Sequence, residues 1–283
     1  MSACVAAAVR QAVEADPQVA WRVCVLDASR DDVLVEHDPR TVQRTASLGK
    51  LVLLVEVGRR LEEGTLDPGE RLTPTEDDLV RDSGLWWHLS SASLPLLDCA
   101  ALVGAFSDNL ATNVLLRRVG GVDPVRSTAR QVGLDGVRLH RKVADAAPPP
   151  GTGSAHGLSS GCAADYAALM ARLHRDDIVS PAVCRLVLGW LALNADLSMV
   201  GGAFGLDPLC HTDPDRGLQL WNKTGTTSDV LGDVGLLSGP ARTVAYAVLT
   251  ERDDAQHPGG RESALAGMAA IGSALRGVVE GGR

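Results

Sequence analysis

The chain has 283 residues, of which 45% are apolar and 22% charged, so it can bury one large core or two smaller ones. Its formal charge of −8 and the absence of a basic run argue against nucleic acid as a partner. Apolar runs such as Leu51 to Val55 are far shorter than the roughly 20 residues of a membrane helix, so we expect no membrane span.

The N-terminal segment predicts an amphipathic helix that ends near Pro17, because no basic stretch precedes its apolar residues as in a secretory signal. The chain as it stands is therefore predicted to be cytoplasmic; a signal removed earlier would instead make it periplasmic or secreted. Six cysteines without C-x-x-C spacing, each among apolar neighbours, predict buried free thiols. The histidines show no ligand spacing, so we expect no metal and no cofactor.

Period-2 patterns occur at both ends of the chain and helical periods lie between them. Residues 19–25 and 33–36 alternate and predict a hairpin, after which a helical stripe runs from Thr45 to Gly64. The middle predicts further helices, and the end predicts three strands and a last helix. The helices are 96–106, 109–119, 123–132, 163–174 and 181–194, the strands are 218–224, 230–237 and 243–250, and the last helix is 262–279. This order predicts one sheet with a helical insertion.

Three short motifs fall at the starts of helices or the end of a strand. They are S-x-x-K at Ser47–Lys50, S-D-N at Ser107–Asn109 and K-T-G at Lys223–Gly225. The chain has only three lysines, the other being Lys142, and two of them belong to these motifs. Each motif alone is weak, but their combination in this order is strong.

The chemistry of the first two motifs follows from their residue types. Ser47 and Lys50 are three positions apart on a helix and share a face, so Ser47 is the candidate nucleophile and Lys50 its base. Lysine can act as a base only if its pKa falls, which burial and the nearby cation Lys223 would both promote. Ser107 can then pass a proton to the leaving group.

The remaining polar groups predict an anionic substrate. Asn109 offers an amide for a substrate amide, and Lys223 with Thr224 offers a cation and a hydroxyl for a carboxylate. The backbone N–H groups of Ser47 and Thr226 are predicted to form an oxyanion hole, a contribution of about 3 kcal/mol per donor. We therefore expect a small anionic acyl compound as the partner.

The motifs together resemble those of the penicillin-recognising serine hydrolases, and class A β-lactamases most closely. S-D-N-L-A-T-N resembles that family's helix start, including its asparagine at Asn113, and Leu139-His140-Arg141 resembles the entry to its omega loop. The resemblance covers nearly the whole chain.

The resemblance implies an α+β fold, an α/β sandwich whose antiparallel sheet comes from both chain ends. Residues 1–43 and 215–283 would form the sheet domain and residues 44–214 a helical domain, with the active site between them. Substrate would bind along residues 224–226, which include Gly225.

Two departures from the family concern the loop and the last motif. The position of the family's deacylating glutamate holds Val143, and no glutamate occurs between Glu76 and Glu251. Asp145 or Asp135 is a possible substitute base, and we expect slow deacylation because a general base supplies about 10²–10⁴-fold. No arginine follows K-T-G, so carboxylate binding is predicted to rest mainly on Lys223.

Other interpretations remain open. Gly157–Gly161 matches G-x-S-x-G, with Asp213 and His257 following in the order of an α/β-hydrolase triad, but Ser159 or Ser160 is more simply read as a helix N-cap. The same fold would also serve an esterase or amidase acting on a non-lactam substrate. A protein that captures β-lactams without hydrolysing them is the third hypothesis.

Overall fold

The computed structural model describes residues 2–134, 136–145 and 157–282. The α-helices are α1 (Ser2–Ala15), α2 (Lys50–Glu62), α3 (Leu96–Phe106), α4 (Asn109–Arg118), α5 (Val122–Gln131), α6 (Ala163–His174), α7 (Pro181–Leu191) and α8 (Gly260–Glu280). The strands are β1 (Ala20–Asp27), β2 (Val33–His37), β3 (Gln43–Arg44), β4 (Arg71–Leu72), β5 (Leu94–Pro95), β6 (Arg138–Leu139), β7 (Ser159–Gly161), β8 (Gln219–Thr226), β9 (Val230–Ser238) and β10 (Thr243–Glu251). Short 3₁₀ helices lie at Ala46–Gly49, Glu76–Asp78, Trp86–His88 and Val200–Phe204.

The main sheet has five antiparallel strands in the order β2-β1-β10-β9-β8. Its strands come from both ends of the chain, so the predicted hairpin, the three late strands and the α+β fold are confirmed. β9 and the interior of β10 are buried almost throughout, because helices cover both faces of the sheet.

The two faces of the sheet belong to two hydrophobic clusters. Side chains such as Val23 and Tyr246 face α1 and α8, where Gly267 lets α8 approach Trp21 closely; a Cβ there would lie 2.5 Å from the indole ring. Cys24 and Ala247 belong to the cluster of the opposite face, which continues into the helical part of the chain.

The helical part is organised around α2, which contacts α3, α4, α5 and α7. Its buried Glu56 carboxylate forms salt bridges with Arg59 and Arg60 and accepts a hydrogen bond from Thr128 Oγ1 at 2.6 Å. Helix α6, which the sequence assigns to the helical domain, packs against β1, β9 and β10. The domain limits at residues 43 and 215 stay a prediction.

Three further findings bear on the sequence predictions. All six cysteines are free, but Cys4 and Cys210 are exposed, so apolar neighbours in sequence did not guarantee burial. Residues 146–156 lie outside the described part of the chain, and β7 begins shortly after them. None of the described helices has the length and apolar character needed to cross a membrane.

Candidate active site

Ser47 lies in the 3₁₀ turn Ala46–Gly49, directly before α2, instead of in the first α-helical turn that the sequence predicts. The residue before it, Ala46, has a left-handed backbone with φ of 49°, a conformation that costs energy in any residue with a Cβ. Buried Ser159 holds this turn in place: its Oγ donates to Ala46 O at 2.6 Å and accepts from Gly49 N at 3.2 Å. The predicted nucleophile therefore lies on a strained turn that a second serine holds in place.

A pair of glycines lets this turn contact the sheet. Gly225 of β8 and Gly232 of β9 are opposite each other. A Cβ at Gly232 would lie 2.8 Å from Leu48 Cδ1, and one at Gly225 would lie 2.6 Å from Thr45 O and 3.1 Å from Ser47 N. Only glycine at these positions allows the end of β8 to run directly beside the backbone of Ser47.

Lys50 is the first residue of α2, and its side chain is fully buried. Its Nζ donates to Ser107 O and to Asn109 Oδ1, each at 2.6 Å, and lies 3.3 Å from Ser107 Oγ. A neutral amine has two hydrogens, which these two carbonyl oxygens accept, so its lone pair remains available for a proton.

Burial is the main reason why the pKa of Lys50 falls well below its ordinary value, and the charge of Lys223 lowers it further. The carboxylates of Asp108 and Asp82 act in the opposite direction. The predicted condition for a lysine base is therefore met by geometry that the S-x-x-K spacing alone does not contain.

The S-D-N segment connects α3 to α4. Ser107 has a left-handed backbone with φ of 53°, which ends α3 and turns its carbonyl toward Lys50. Asp108 caps α4 through Ala111 N and also accepts from Leu85 N and Trp86 N. This aspartate has a structural role, because it ties the helix start to the segment beside it.

Asn109 uses its whole amide inside the protein. Its Oδ1 accepts from Lys50, and its Nδ2 donates to Asp82 O at 2.7 Å. The predicted contact between Asn109 and a substrate amide therefore stays a prediction, and the structure adds a second role in orienting Lys50.

Lys223 is buried behind the end of β8, where its Nζ donates to Thr224 O at 2.8 Å. Burial lowers the pKa of Lys223 to about 8, although the carboxylates of Asp196 and Asp233 partly oppose this effect. Lys142, the third lysine, donates hydrogen bonds to Asp78 Oδ1 and Asp77 O.

Asp233 is a further buried group near the site that the sequence analysis missed. It accepts from Asn222 Nδ2, Tyr246 OH and Gly201 N, and burial raises its pKa to about 6. A carboxylate in the apolar run of β9 was the available sequence signal, because a charged residue in a buried strand requires partners.

Two cavities meet at Ser47. The catalytic cavity, of about 560 Å³, is lined by Ser47, Ser107, Asn109, Thr224 and Thr226 among others. The loop-side cavity, of about 430 Å³, shares three of these residues: Ser47, Asn109 and Thr226. The structure thus places the predicted nucleophile, proton donor and oxyanion-hole residues around one cavity. Lys50 and Lys223 are buried and do not line this cavity.

Val143 lies in the wall of the loop-side cavity. Asn113 holds its backbone from both sides: Nδ2 donates to Val143 O at 2.9 Å, and Oδ1 accepts from Val143 N at 2.8 Å. Asp145 instead accepts from Arg81 N and does not line either of the two cavities that contain Ser47. Asp135 is outside the described residues.

The prediction that Ser159 or Ser160 is a helix N-cap is wrong, and the alternative G-x-S-x-G triad is not assembled either. Ser159 and Ser160 lie in β7, and the N-cap of α6 is Cys162, which gives no side-chain cap. His257 Nε2 is 2.6 Å from Asp16 Oδ2. Ser159 nevertheless matters to the site, through its contacts with the Ser47 turn. The described residues contain no group of three potential metal ligands.

Comparisons with known proteins show which family and which solved structures this chain is similar to. The profile of the β-lactamase enzyme family matches residues 5–279. A β-lactamase from Sphaerobacter thermophilus is 24% identical with a TM-score of 0.82, covering 99% of this chain and 98% of that one. A class A β-lactamase from Mycobacterium abscessus is 20% identical with a TM-score of 0.78, covering 96% and 97%.

A third structure, the L158E mutant of PBP-A as an acyl-enzyme with penicillin G, is 19% identical with a TM-score of 0.78, covering 97% of this chain and 95% of that one. A comparison with curated protein sequences finds no significant match. Because the family profile spans nearly all of the sequence, the chain belongs to the β-lactamase enzyme family and has the class A fold.

Proposed function

We propose that this protein is a serine hydrolase that reacts with β-lactams or similar anionic acyl compounds to form an acyl-enzyme at Ser47, and that it releases the acyl group slowly. The observation that carries this proposal is the buried Lys50 amine, held by two carbonyl oxygens beside Ser107.

Acylation uses the groups in a fixed order. Ser47 Oγ attacks the substrate carbonyl carbon while its proton passes to the neutral Lys50 amine. The bond from that carbon to the departing nitrogen or oxygen then breaks, and Ser107 Oγ gives its proton to the departing atom. Lys50, 3.3 Å from Ser107 Oγ, replaces that proton, so the protons balance.

The anionic preference is supported by Lys223. Its ammonium group lies behind Thr224, and Thr224 lines the catalytic cavity. The described lining of this cavity contains no arginine or lysine and includes Asp82 and Asp196, so we assign the binding of a substrate carboxylate to the Thr224 hydroxyl and the nearby charge of Lys223.

Slow release is supported by Val143. A water that attacks the acyl ester from the loop side needs a base on that side, and Val143 occupies the position that Asn113 fixes there. The structure of the L158E mutant of PBP-A as an acyl-enzyme complex with penicillin G supports the first part of the proposal, the formation of an acyl-enzyme on this fold.

The proposal is tested by intact mass spectrometry after mixing with a penicillin and a cephalosporin, followed over time. We expect an adduct of one ligand mass that persists for many minutes, its absence in Ser47→Ala, and a labelling rate lower by orders of magnitude in Lys50→Ala. Labelling that persists unchanged in Ser47→Ala, or that maps to Ser159, would overturn it. Faster cleavage of a simple ester than of any lactam would support the esterase hypothesis instead.

A further inference from the structure

A third cavity, of about 440 Å³, lies beside the catalytic cavity and is not used by the chemistry above. Its walls are α3 and the segments that follow α7, and they are mostly apolar. Leu94, Leu102, Leu193, Pro208 and Leu209 are among its lining residues. We call it the apolar cavity.

The apolar cavity adjoins the catalytic cavity on the side of Ser107. Ala105, Phe106 and Ala195 line both cavities. Ala195 N donates to Ala105 O at 2.9 Å, which fixes the two walls to each other, and Phe106 directly precedes Ser107. A ligand that extends past Ser107 in this direction therefore enters the apolar cavity.

Exposed apolar side chains are concentrated around this cavity. Of the ten large apolar side chains that are exposed in the described ranges, four line it: Leu89, Phe106, Leu193 and Leu209, the last with 84% of its surface exposed. Grouped exposed apolar side chains typically mark a binding site, whereas scattered ones do not.

The charges around the cavity limit what it can bind. No lysine or arginine is among the described residues that line it, and exposed Asp98 lies at its wall. A second anionic group would meet a carboxylate there without a cation. Because most of the lining residues are apolar, the cavity suits an uncharged apolar group better than a charged one, in contrast to the carboxylate expected near Lys223.

We propose that the apolar cavity binds an uncharged apolar substituent on the leaving-group side of the acyl substrate; this rests on the function proposed above. Ser107 gives its proton to the departing atom, so that atom lies next to Ser107 when the bond breaks. A substituent on the departing portion extends over Ala105 and Phe106 into the cavity. The preferred substrates thus combine an anionic group with a bulky apolar leaving-group portion.

Two cephalosporins with the same C7 side chain test this, one with a methyl group at C3 and one with a styryl group. The C3 atom belongs to the ring that holds the departing nitrogen. The measurement is the second-order rate constant of adduct formation by intact mass spectrometry, and the quantity compared is the styryl-to-methyl ratio. Comparing this ratio between variants cancels the intrinsic reactivities of the two probes.

Ala101→Phe fills the apolar cavity from α3, and Leu209→Ser removes apolar surface from its rim. Val179→Ser, at an apolar residue with 41% exposure that does not line the cavity, is the matched control for Leu209→Ser. We expect the ratio to fall about tenfold in Ala101→Phe and severalfold in Leu209→Ser, with the methyl probe unaffected. Val179→Ser should leave the ratio unchanged.

The two levels of inference fail differently. Adducts with both probes and an unchanged ratio in Ala101→Phe and Leu209→Ser would overturn the role of the apolar cavity and leave the proposed function standing. If Ala101→Phe does not fold, the ratio in Leu209→Ser decides the question. A wild-type chain that reacts with neither probe would overturn both.

Discussion

The two buried lysines of the site are chemically different although both lie in β-lactamase motifs. Burial and Lys223 lower the pKa of Lys50 well below its ordinary value, which suits the role of base proposed above, whereas Lys223 keeps its proton up to about pH 8. Arginine could not replace Lys50, because it stays protonated at any working pH. The scarcity of lysine in a chain rich in arginine therefore has a physical reason at these two positions.

This division predicts a specific pH profile for acylation. Reaction with an anionic β-lactam needs neutral Lys50 and protonated Lys223, so its rate constant should rise with pH on the acid side and fall above about pH 8. An uncharged ester does not need the cation and should lack the alkaline decline. Stopped-flow or mass-spectrometric rates between pH 5 and pH 10 give both curves.

The variant Lys223→Ala separates two roles of this residue. Without its charge, Lys50 should hold its proton more tightly, so the acid limb should move to higher pH. Capture of anionic lactams should weaken by about tenfold or more relative to uncharged esters, since a charged hydrogen-bond partner contributes about 1.5–3 kcal/mol. Equal losses for both ligand types would mean that Lys223 only tunes Lys50.

Val143 is the residue that should limit turnover. We expect a burst of about one equivalent followed by a slow phase, because Val143 offers no proton acceptor at the position that Asn113 fixes. Val143→Glu should speed the slow phase and leave the burst rate little changed, since Asn113 binds only the backbone of this residue. Stopped-flow absorbance with a chromogenic cephalosporin measures both phases.

Asp145→Asn provides the counter-test for Val143. Asp145 is bonded to Arg81 N, so its replacement should not alter the slow phase. Fast turnover of the wild type that is lost in Asp145→Asn would show that Asp145 is the deacylating base after all. Fast turnover that survives both Asp145→Asn and Asp135→Asn would make Lys50, acting in both steps, the first candidate.

At the scale of elements, the short strand β7 controls the turn that carries Ser47. The hydroxyl of Ser159 satisfies Ala46 O and Gly49 N and contacts Thr45 Oγ1 at 2.8 Å. Thr45 Oγ1 in turn lies 2.9 Å from Tyr166 OH of α6. A strand of three residues thus anchors the strained backbone before the nucleophile.

The variant Ser159→Ala should therefore act on both stability and catalysis. Removing the Ser159 hydroxyl takes one hydrogen bond from each of two buried backbone groups and should lower the free energy of unfolding by about 1–3 kcal/mol. Acylation should slow because Ala46 can leave its left-handed conformation. Ser160 lies in the same strand as Ser159 and is hydrogen-bonded to His140. Ser160→Ala is therefore the control and should leave the acylation rate nearly unchanged. Equal acylation rates in the two variants would contradict the anchoring role.

The sequence predicts the regular elements well, because their signals are local. The period-2 strands near residues 218–250 and the helical stripe after Thr45 appear where expected. The anchoring role of Ser159 was not predictable, because it depends on residues more than 100 positions apart that meet only in the fold. For the same reason, motif spacing identifies Lys50 but not the oxygen atoms that bind its amine.

At the scale of the whole molecule, the burial of the Lys223 amine lowers the free energy of unfolding by an amount that depends on pH. The pKa of Lys223 is about 8 in the folded chain and ordinary, 10.5, when unfolded, so the unfolded chain binds more protons between these values. Stability from this group therefore increases as pH rises from about 8 to about 10.5. Buried thiols such as Cys24 and Cys99, whose pKa burial raises to about 12, act in the opposite direction above pH 9.

A comparison with Lys223→Met cancels those other groups, because both proteins contain them. The quantity of interest is the free energy of unfolding of the wild type minus that of Lys223→Met. It should increase by about 2 kcal/mol between pH 8 and pH 10, since one pKa unit corresponds to about 1.4 kcal/mol. Urea unfolding at pH 8, 9 and 10 measures this difference. A difference that stays constant would mean that folded Lys223 keeps its ordinary pKa. The decline of the acylation rate at alkaline pH should then begin at about pH 10 instead of about pH 8. The unfolding and acylation experiments must therefore agree.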